Sequence, residues 1–489
     1  MQNTLMRRLG LAERTWFLLA LIFSALIGNF FERGQIALLL YLLVPWGAGL
    51  LYVRLKGRAL RRGAANAFLF AGMAWMALVC LLRQCFDLNR WLPLALVTLY
   101  ALAASQPQPG QSAAARQSEL RAVAALIVAC VTPMMLLAVV SVFLGRPIPF
   151  LHESRPIGIS ADGGFSERIR VLIHPNGTAR AAVVAALMAI YLIMVARRRW
   201  AKALCGVCIA ILTLAIVHAQ SRTSNIAYGA ALGALAFRGV WLRMEGRRGR
   251  AAVGIAVWAA VALTVVVVLG RIFTLDVWIA QSLAGQQETA AVSRAVTDGA
   301  VDVFSNGRDE IWREALRYMR AHPVTFLLGL GSGEIQSVVM DSASWTSTVY
   351  TLHNSFVDCL VRGGIPFLLC MLGYLCMLVR PALRALTGAE DAQHRGEAVP
   401  AILVGALLLI SLTEVTIFLS ASFVNCVFFL AAGHLLEMDA ARKDAPAASI
   451  CADKFDLCIA RRNDMQKARS DICENIRARF FRSGIRRVC

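Results

Sequence analysis

Charge is scarce in this sequence. Only 16% of its 489 residues are Asp, Glu, Lys or Arg, 58% are hydrophobic, and the mean hydropathy is +0.62. Soluble domains carry about 25% charged residues, so a water-soluble globular enzyme and a disordered chain are both excluded. Acids are scarcer than bases, 30 against 50, which leaves a formal net charge of +20. In a soluble chain that excess would point to nucleic acid. Here the bases fall in short clusters between apolar runs, as in a membrane protein marking its cytoplasmic side, and nucleic acid is not expected as a partner. The 13 cysteines fit neither a disulfide scaffold nor a zinc template. Most lie inside apolar runs (Cys80, Cys130, Cys370, Cys376, Cys426) or in the final tail (Cys451, Cys458, Cys473, Cys489). Cys205 and Cys208 share one face of an apolar helix, where they read as small packing residues. No DxD, P-loop, GxSxG or HExxH motif stands in a credible setting, and neither a metal nor a cofactor is expected.

What the sequence has is apolar runs near twenty residues long, from end to end. They predict an all-α polytopic integral membrane protein with about 12 transmembrane helices. The spans fall near 15–31, 35–53, 64–84, 90–104, 119–144, 179–196, 201–219, 222–242, 251–270, 355–379, 400–418 and 420–437. Arg7, Arg8 and Arg14 precede the first run and no small-residue cleavage site follows, so that run reads as a retained span. Placing the N-terminus inside puts Arg54–Arg62, Arg116 and Arg121, Arg197–Lys202, Arg238–Arg250 and Arg380–Arg395 in the cytoplasm. The short outer loops then hold only Arg33, Arg83, Arg90 and Arg222. Both termini are expected to be cytoplasmic. The organisation that follows is 1–144 with five spans, 145–178 as a long outer loop, 179–270 with four spans, 271–354 as a larger outer loop, 355–437 with three spans, and 438–489 as a basic tail near anionic lipid. Outer loops of that length are usually functional.

Within the larger loop, NGRDEIWREALRYMRAHP reads as a helix over 308–321. Asn306 is a candidate N-cap, Asp309 and Glu310 lie in the first turn, and His322-Pro323 closes it. Ile311, Trp312, Ala315, Leu316 and Met319 share one side at helical spacing, with Arg313, Arg317 and Arg320 opposite. That pattern suits a helix lying along the outer membrane–water boundary, as a roof over the bundle.

Three outward-facing places are candidates for chemistry. Arg222 opens an otherwise uncharged helix in HAQSRTSNIAYG. It either snorkels to the interface or offers a planar fork to a phosphate at the mouth of the bundle. Arg308 sits in the first turn of the amphipathic helix, where the dipole disfavours a cation unless an anion shares the place. The alternative is a simple pair with a carboxylate such as Asp309 or Asp302. His353 and Asn354, in TLHNSFVDCLVRGGIPF, stand where the large loop meets the membrane, and a Gly-Gly pair follows. His can act as a general base and Asn can bind a sugar, although a boundary His can also be structural. Glu414, alone in an apolar run, is either a buried hydrogen-bond partner or a substrate contact. His152 and His174 bracket the first outer loop without carboxylates at metal-ligand spacing.

Three of these stretches, SRTSNIAYGAALGALAF, NGRDEIWREALRYMRAHPVTFLLGLGSG and HNSFVDCLVRGGIPF, occur in the order and membrane setting of a known family. The chain resembles the O-antigen ligases, within the wider group of O-antigen ligases, polymerases and protein O-oligosaccharyltransferases, over roughly residues 15–437. The resemblance implies a metal-independent, inverting glycosyltransferase in the bacterial inner membrane. It would move O-antigen polysaccharide from undecaprenyl diphosphate to lipid A–core oligosaccharide at the periplasmic face. Arg222 and Arg308 would hold the diphosphate and His353 would assist the acceptor hydroxyl; from their own settings, Asn354 and Glu414 are added as candidate substrate contacts. The sequence departs from the ligase pattern at Ile226, where Leu is expected, and at Phe367, after Gly364-Ile365-Pro366. A polymerase or protein glycosyltransferase on the same donor remains an alternative. A non-catalytic transporter predicts repeats and broken midplane helices, which the sequence lacks.

Overall fold

The computed structural model describes residues 13–27, 43, 45–49, 63–83, 88–105, 113–144, 148–150, 152–159, 169–171, 175–244, 247–284, 308–331, 352–388, 396–420 and 422–444. The first helices are α1 (Glu13–Ile27), α2 (Ala64–Leu82), α3 (Leu88–Leu99, running on into a π turn over Tyr100–Ala104) and α4 (Ala113–Leu144). After a small sheet come α5 (Pro175–Val195), α6 (Arg199–His218), α7 (Arg222–Arg243) and α8 (Arg247–Ala284). The remainder are α9 (Arg308–Ala321), α10 (Pro323–Leu328), α11 (Ser355–Thr387), α12 (Ala398–Ser411) and α13 (Phe423–Asp444). The chain divides into a unit of Met1–Leu436 and a second of Glu437–Cys489, of which the last turns of α13 are described.

Seven described helices are long and apolar enough to cross a membrane: α2, α4, α5, α6, α8, α11 and α13. The chain is therefore a multi-pass, predominantly helical membrane protein. The expected span 222–242 forms a helix of 22 residues, α7, but its Ser, Thr, Asn and Arg keep it out of that set. The span expected at 35–53 lies outside the described residues except for 43 and 45–49, as do Asp302, Asn306, His174 and the cysteines of the tail.

Two expectations need correcting. The helix foreseen over 400–418 stops at Ser411. Its 14 residues cover about 21 Å, short of the ~30 Å hydrocarbon core. Residues 412–418 leave the helix because Thr413, Glu414 and Thr416 find hydrogen-bond partners on other elements. The loop foreseen at 145–178 also carries structure, a three-stranded antiparallel sheet of β1 (Ile148–Phe150), β2 (His152–Ile159) and β3 (Ile169–Arg170) in the order β1-β2-β3. The prolines of this stretch oppose helix, and its isoleucines suit a pleated strand. The fold is thus all-α only in its membrane part.

The bundle is closed by small residues. On α7, Gly229 and Gly233 bring the backbone against α8: a Cβ on them would lie 2.9 Å from Ala262 O and 2.6 Å from Trp258 O. This is the small-xxx-small contact of membrane helices. The amphipathic helix α9 forms as its spacing predicts, with Ile311, Ala315 and Met319 buried. Its apolar stripe packs on Leu352, Leu360 and Val361, so protein rather than lipid covers it. Leu316 alone of the foreseen stripe is exposed.

The hairpin of α9 and α10 docks on α11 through backbone. Leu330 N–H donates to Val361 O at 2.9 Å and Gly331 N–H to Arg362 O at 2.8 Å. Gly329 (φ 81°) and Gly364 (φ 67°) face one another there, and a Cβ on either would fall 2.3 Å from Arg362 O or 2.1 Å from Leu327 O. From α2, Trp75 Nε1 donates to Gly363 O, and Arg83 donates to Gly329 O and Thr325 Oγ1. Gly329→Ala or Gly364→Ala is expected to cost about 3 kcal/mol or more, since each combines a backbone clash with a left-handed φ. Gly206→Ala, with nothing within 4 Å of its Cβ position, should be neutral or slightly stabilising. Thermal unfolding of the purified variants in detergent checks both.

Candidate active site

At one end of the bundle the N-terminal ends of α5, α7, α9 and α11 meet the segment that follows α12. Helix N-termini carry partial positive charge, so this end favours an anion. The anion present is Glu414. It is buried, and its carboxylate accepts from Arg308 Nη2 at 2.7 Å and from Asn176 Nδ2 at 2.5 Å, both on Oε1. His353 Nδ1 lies 3.4 Å from Oε2. Arg308 also donates through Nη1 to Thr413 O at 2.6 Å. Burial alone would push the Glu414 carboxyl up. The His353 hydrogen bond and the charges of Arg180, Arg308 and His353 outweigh it and hold the group at about 2, below its ordinary 4.5. An ionised carboxylate only accepts. Nδ1 is therefore the donor in the His353–Glu414 contact, which leaves Nε2 for another partner.

The segment carrying Glu414 is held in place residue by residue. Ser355 Oγ donates to Glu414 O and accepts from the N–H groups of Thr416 and Ile417. Arg180 Nη1 donates to Val415 O at 3.0 Å and Thr416 Oγ1 at 2.9 Å. Thr223 and Thr413 share a hydroxyl hydrogen bond of 2.6 Å. The Asn425 side chain bonds both the N–H and the carbonyl of Phe418.

His353 is aimed by its neighbours. Asn354 caps α11, its Oδ1 accepting from Phe356 and Val357 N–H, while its Nδ2 donates to Leu412 O. On the other side Leu352 O accepts from Trp312 Nε1 at 2.8 Å. Between these anchors His353 takes a left-handed φ of 48°. Among the described residues the other non-glycine positive φ values belong to Gln220 (51°), two residues before Arg222, and Phe418 (66°). All three lie in segments that border this site, where strained backbone commonly marks function.

Of the residues singled out from sequence, Arg308, His353 and Glu414 come into direct contact, and Asn354 joins them through the backbone of Leu412. Arg222 is exposed at the first residue of α7, beside the Thr223 that bonds Thr413. Arg308 does pair with a carboxylate, and the partner is Glu414, 106 residues away. Sequence reasoning misses Asn176, Arg180 and Ser355. The available signal was Arg180, a cation inside the span expected at 179–196, since an ionisable residue within a span is itself a pointer to function. Among the described residues no group of three or more His, Cys, Asp or Glu could hold a metal ion.

Residues 207–372 match the family model described as O-Antigen ligase. This stretch is similar to the O-antigen ligase family. None of the curated proteins matches the chain. The family stretch contains Arg222, Arg308, His353 and Ser355, whereas Asn176, Arg180 and Glu414 lie outside it.

A depressed carboxyl contributes stability that is complete above its ordinary value of 4.5 and is lost as pH falls toward about 2. The unfolding temperature should therefore drop between about pH 5 and pH 2, and Glu414→Gln should flatten part of that drop. Ser355→Ala, which strands three buried backbone groups of the Glu414 segment, should cost about 2–3 kcal/mol in the same melts.

Proposed function

We propose that the protein is a lipid-diphosphate-dependent glycosyltransferase, an O-antigen ligase that transfers O-antigen polysaccharide from undecaprenyl diphosphate to a sugar of lipid A–core at the periplasmic face of the inner membrane. The observation that carries this reading is the meeting of Arg308 and His353, both within the stretch that matches the O-antigen ligase model, on the buried carboxylate of Glu414 beyond it. The acceptor hydroxyl attacks the anomeric carbon from the side opposite the diphosphate, and the carbon–oxygen bond to the diphosphate breaks, so the configuration inverts. His353 Nε2 takes the hydroxyl proton. Arg308, with Arg222 at the rim, stabilises the charge that develops on the leaving diphosphate. Two guanidiniums and four helix N-termini supply the electrostatic stabilisation that a divalent ion supplies elsewhere. Asn354 retains one amide hydrogen for substrate beyond its backbone contacts. The site end of the bundle, with the segments 145–178 and 271–354, faces the periplasm in this reading, and both termini are cytoplasmic.

The test offers purified protein an undecaprenyl-diphosphate-linked glycan with lipid A–core, a second lipid-linked glycan, or a serine-containing peptide, each separately. Transfer to lipid A–core alone is the expected result. Transfer to a lipid-linked glycan would make the protein a polymerase, and transfer to the peptide a protein O-oligosaccharyltransferase. Arg308→Ala should lower transfer by about 10²–10³-fold while the protein stays folded. EDTA should leave the rate unchanged, and inhibition reversed by a divalent ion would overturn the metal-independent mechanism.

A further inference from the structure

A carboxylate is out of place beside a site for diphosphate, because it repels the ligand and is itself costly to bury. Glu414 is nonetheless buried there, and the groups around its side chain have second ties. Arg308 is fixed by Thr413 O, the backbone on either side of His353 by Trp312 and Asn354, and the segment of Glu414 itself by Ser355 and Arg180. The two contacts use different oxygens, Oε1 for Arg308 and Oε2 for His353, so one carboxyl plane fixes both side chains at once. Side-chain exposure falls from 31% at His353 to 14% at Arg308 and 9% at Glu414. The imidazole and guanidinium are thus open to a ligand, and the carboxylate is the group beneath them. Arg180 supplies a second positive charge, so Glu414 does not cancel that of Arg308.

We infer that Glu414 is the positioning residue of this centre: its carboxylate sets the Nδ1–H tautomer of His353, directing Nε2 to the acceptor hydroxyl, and fixes the plane of Arg308 for the donor's phosphate. The inference rests on the glycosyltransferase reading. Arg180, Asn176 and Ser355 act one step further back by holding Glu414 and its segment. The logic is that of a carboxylate orienting a catalytic histidine, with a guanidinium added to the same acceptor.

Two measurements test it. In the transfer assay, Glu414→Gln keeps the size of the side chain and removes its charge, and kcat should fall about 10²-fold. Residues that act as a unit are non-additive. Adding Glu414→Gln to His353→Ala or to Arg308→Ala should therefore cost less than about threefold further. Losses that multiply in both backgrounds would overturn the inference. The second measurement needs no activity: nitrogen NMR of 15N-histidine-labelled protein, with His353 assigned by its disappearance in His353→Ala. The wild type should show His353 protonated at Nδ1, and Glu414→Gln should shift it toward the Nε2–H tautomer. An unchanged tautomer would overturn the inference. Should Glu414→Gln fail to fold, Glu414→Asp, which keeps the charge but withdraws it by one methylene, should give a smaller tautomer shift and a partial loss of kcat. A wild type that transfers nothing from any lipid-diphosphate donor, yet shows the tautomer shift, would remove the proposed reaction and leave the positioning contact standing.

Discussion

A carboxylate taken out of water is tolerated only where donors replace the water it loses, and removing one partner of such a pair can cost about 3–5 kcal/mol. Glu414 meets that condition with Arg308, Asn176 and His353 around one side chain. Much else at this end of the bundle follows from keeping that arrangement intact. Helix α12 ends early, so that the segment after it can turn its polar groups toward α5, α7, α9 and α11. Ser355 occupies the backbone of that segment, and Arg180 reaches it from the first turns of α5. The left-handed backbone of His353 is held by an N-cap on one side and an indole on the other. The strain sits where its removal would move the imidazole.

The same carboxylate explains why the glycines of the α9–α11 region matter. Arg308 and His353 belong to different segments, and both must reach Glu414 with hydrogen-bond accuracy. Contact through long side chains would leave that geometry loose. Gly329 and Gly331 instead meet the Arg362–Gly364 backbone directly, and Trp75 and Arg83 clasp the junction from the α2 side. Buried Ile311, Ala315 and Met319 complete the seat of α9. A position set by backbone contact and apolar packing is stiff, and a site whose parts must meet within about 0.5 Å needs such a support.

The centre also crosses the boundary of the family stretch. Within residues 207–372 lie the groups proposed to meet substrate, Arg222, Arg308 and His353. Beyond it lie Glu414, Arg180 and Asn176, which hold those groups or balance their charge. A match to the stretch therefore captures the groups proposed to react and leaves out residues that contact them.

The sequence by itself determined those features that depend on local chemistry. Runs near twenty apolar residues announce membrane helices, because in lipid each segment must satisfy its own backbone. The 3/4 spacing of Ile311, Ala315 and Met319 announces the amphipathic helix over 308–321, and the charges Arg222, Arg308 and Glu414 stand out by their settings at a helix start, in a first turn and in an apolar run. Only the tertiary structure decided how these are joined. Glu414 and Asn176 are 238 residues apart, Glu414 and Arg308 are 106 apart, and no periodicity relates them. The same is true of what covers the stripe of α9, which is protein although its pattern fits a lipid surface equally well, and of where α12 ends, which depends on partners carried by other helices. Hydrophobic patterning acts through burial and is non-directional, so it can be read one residue at a time. A buried charge is stable only in a particular three-dimensional set of donors, and that set exists only once the chain has folded.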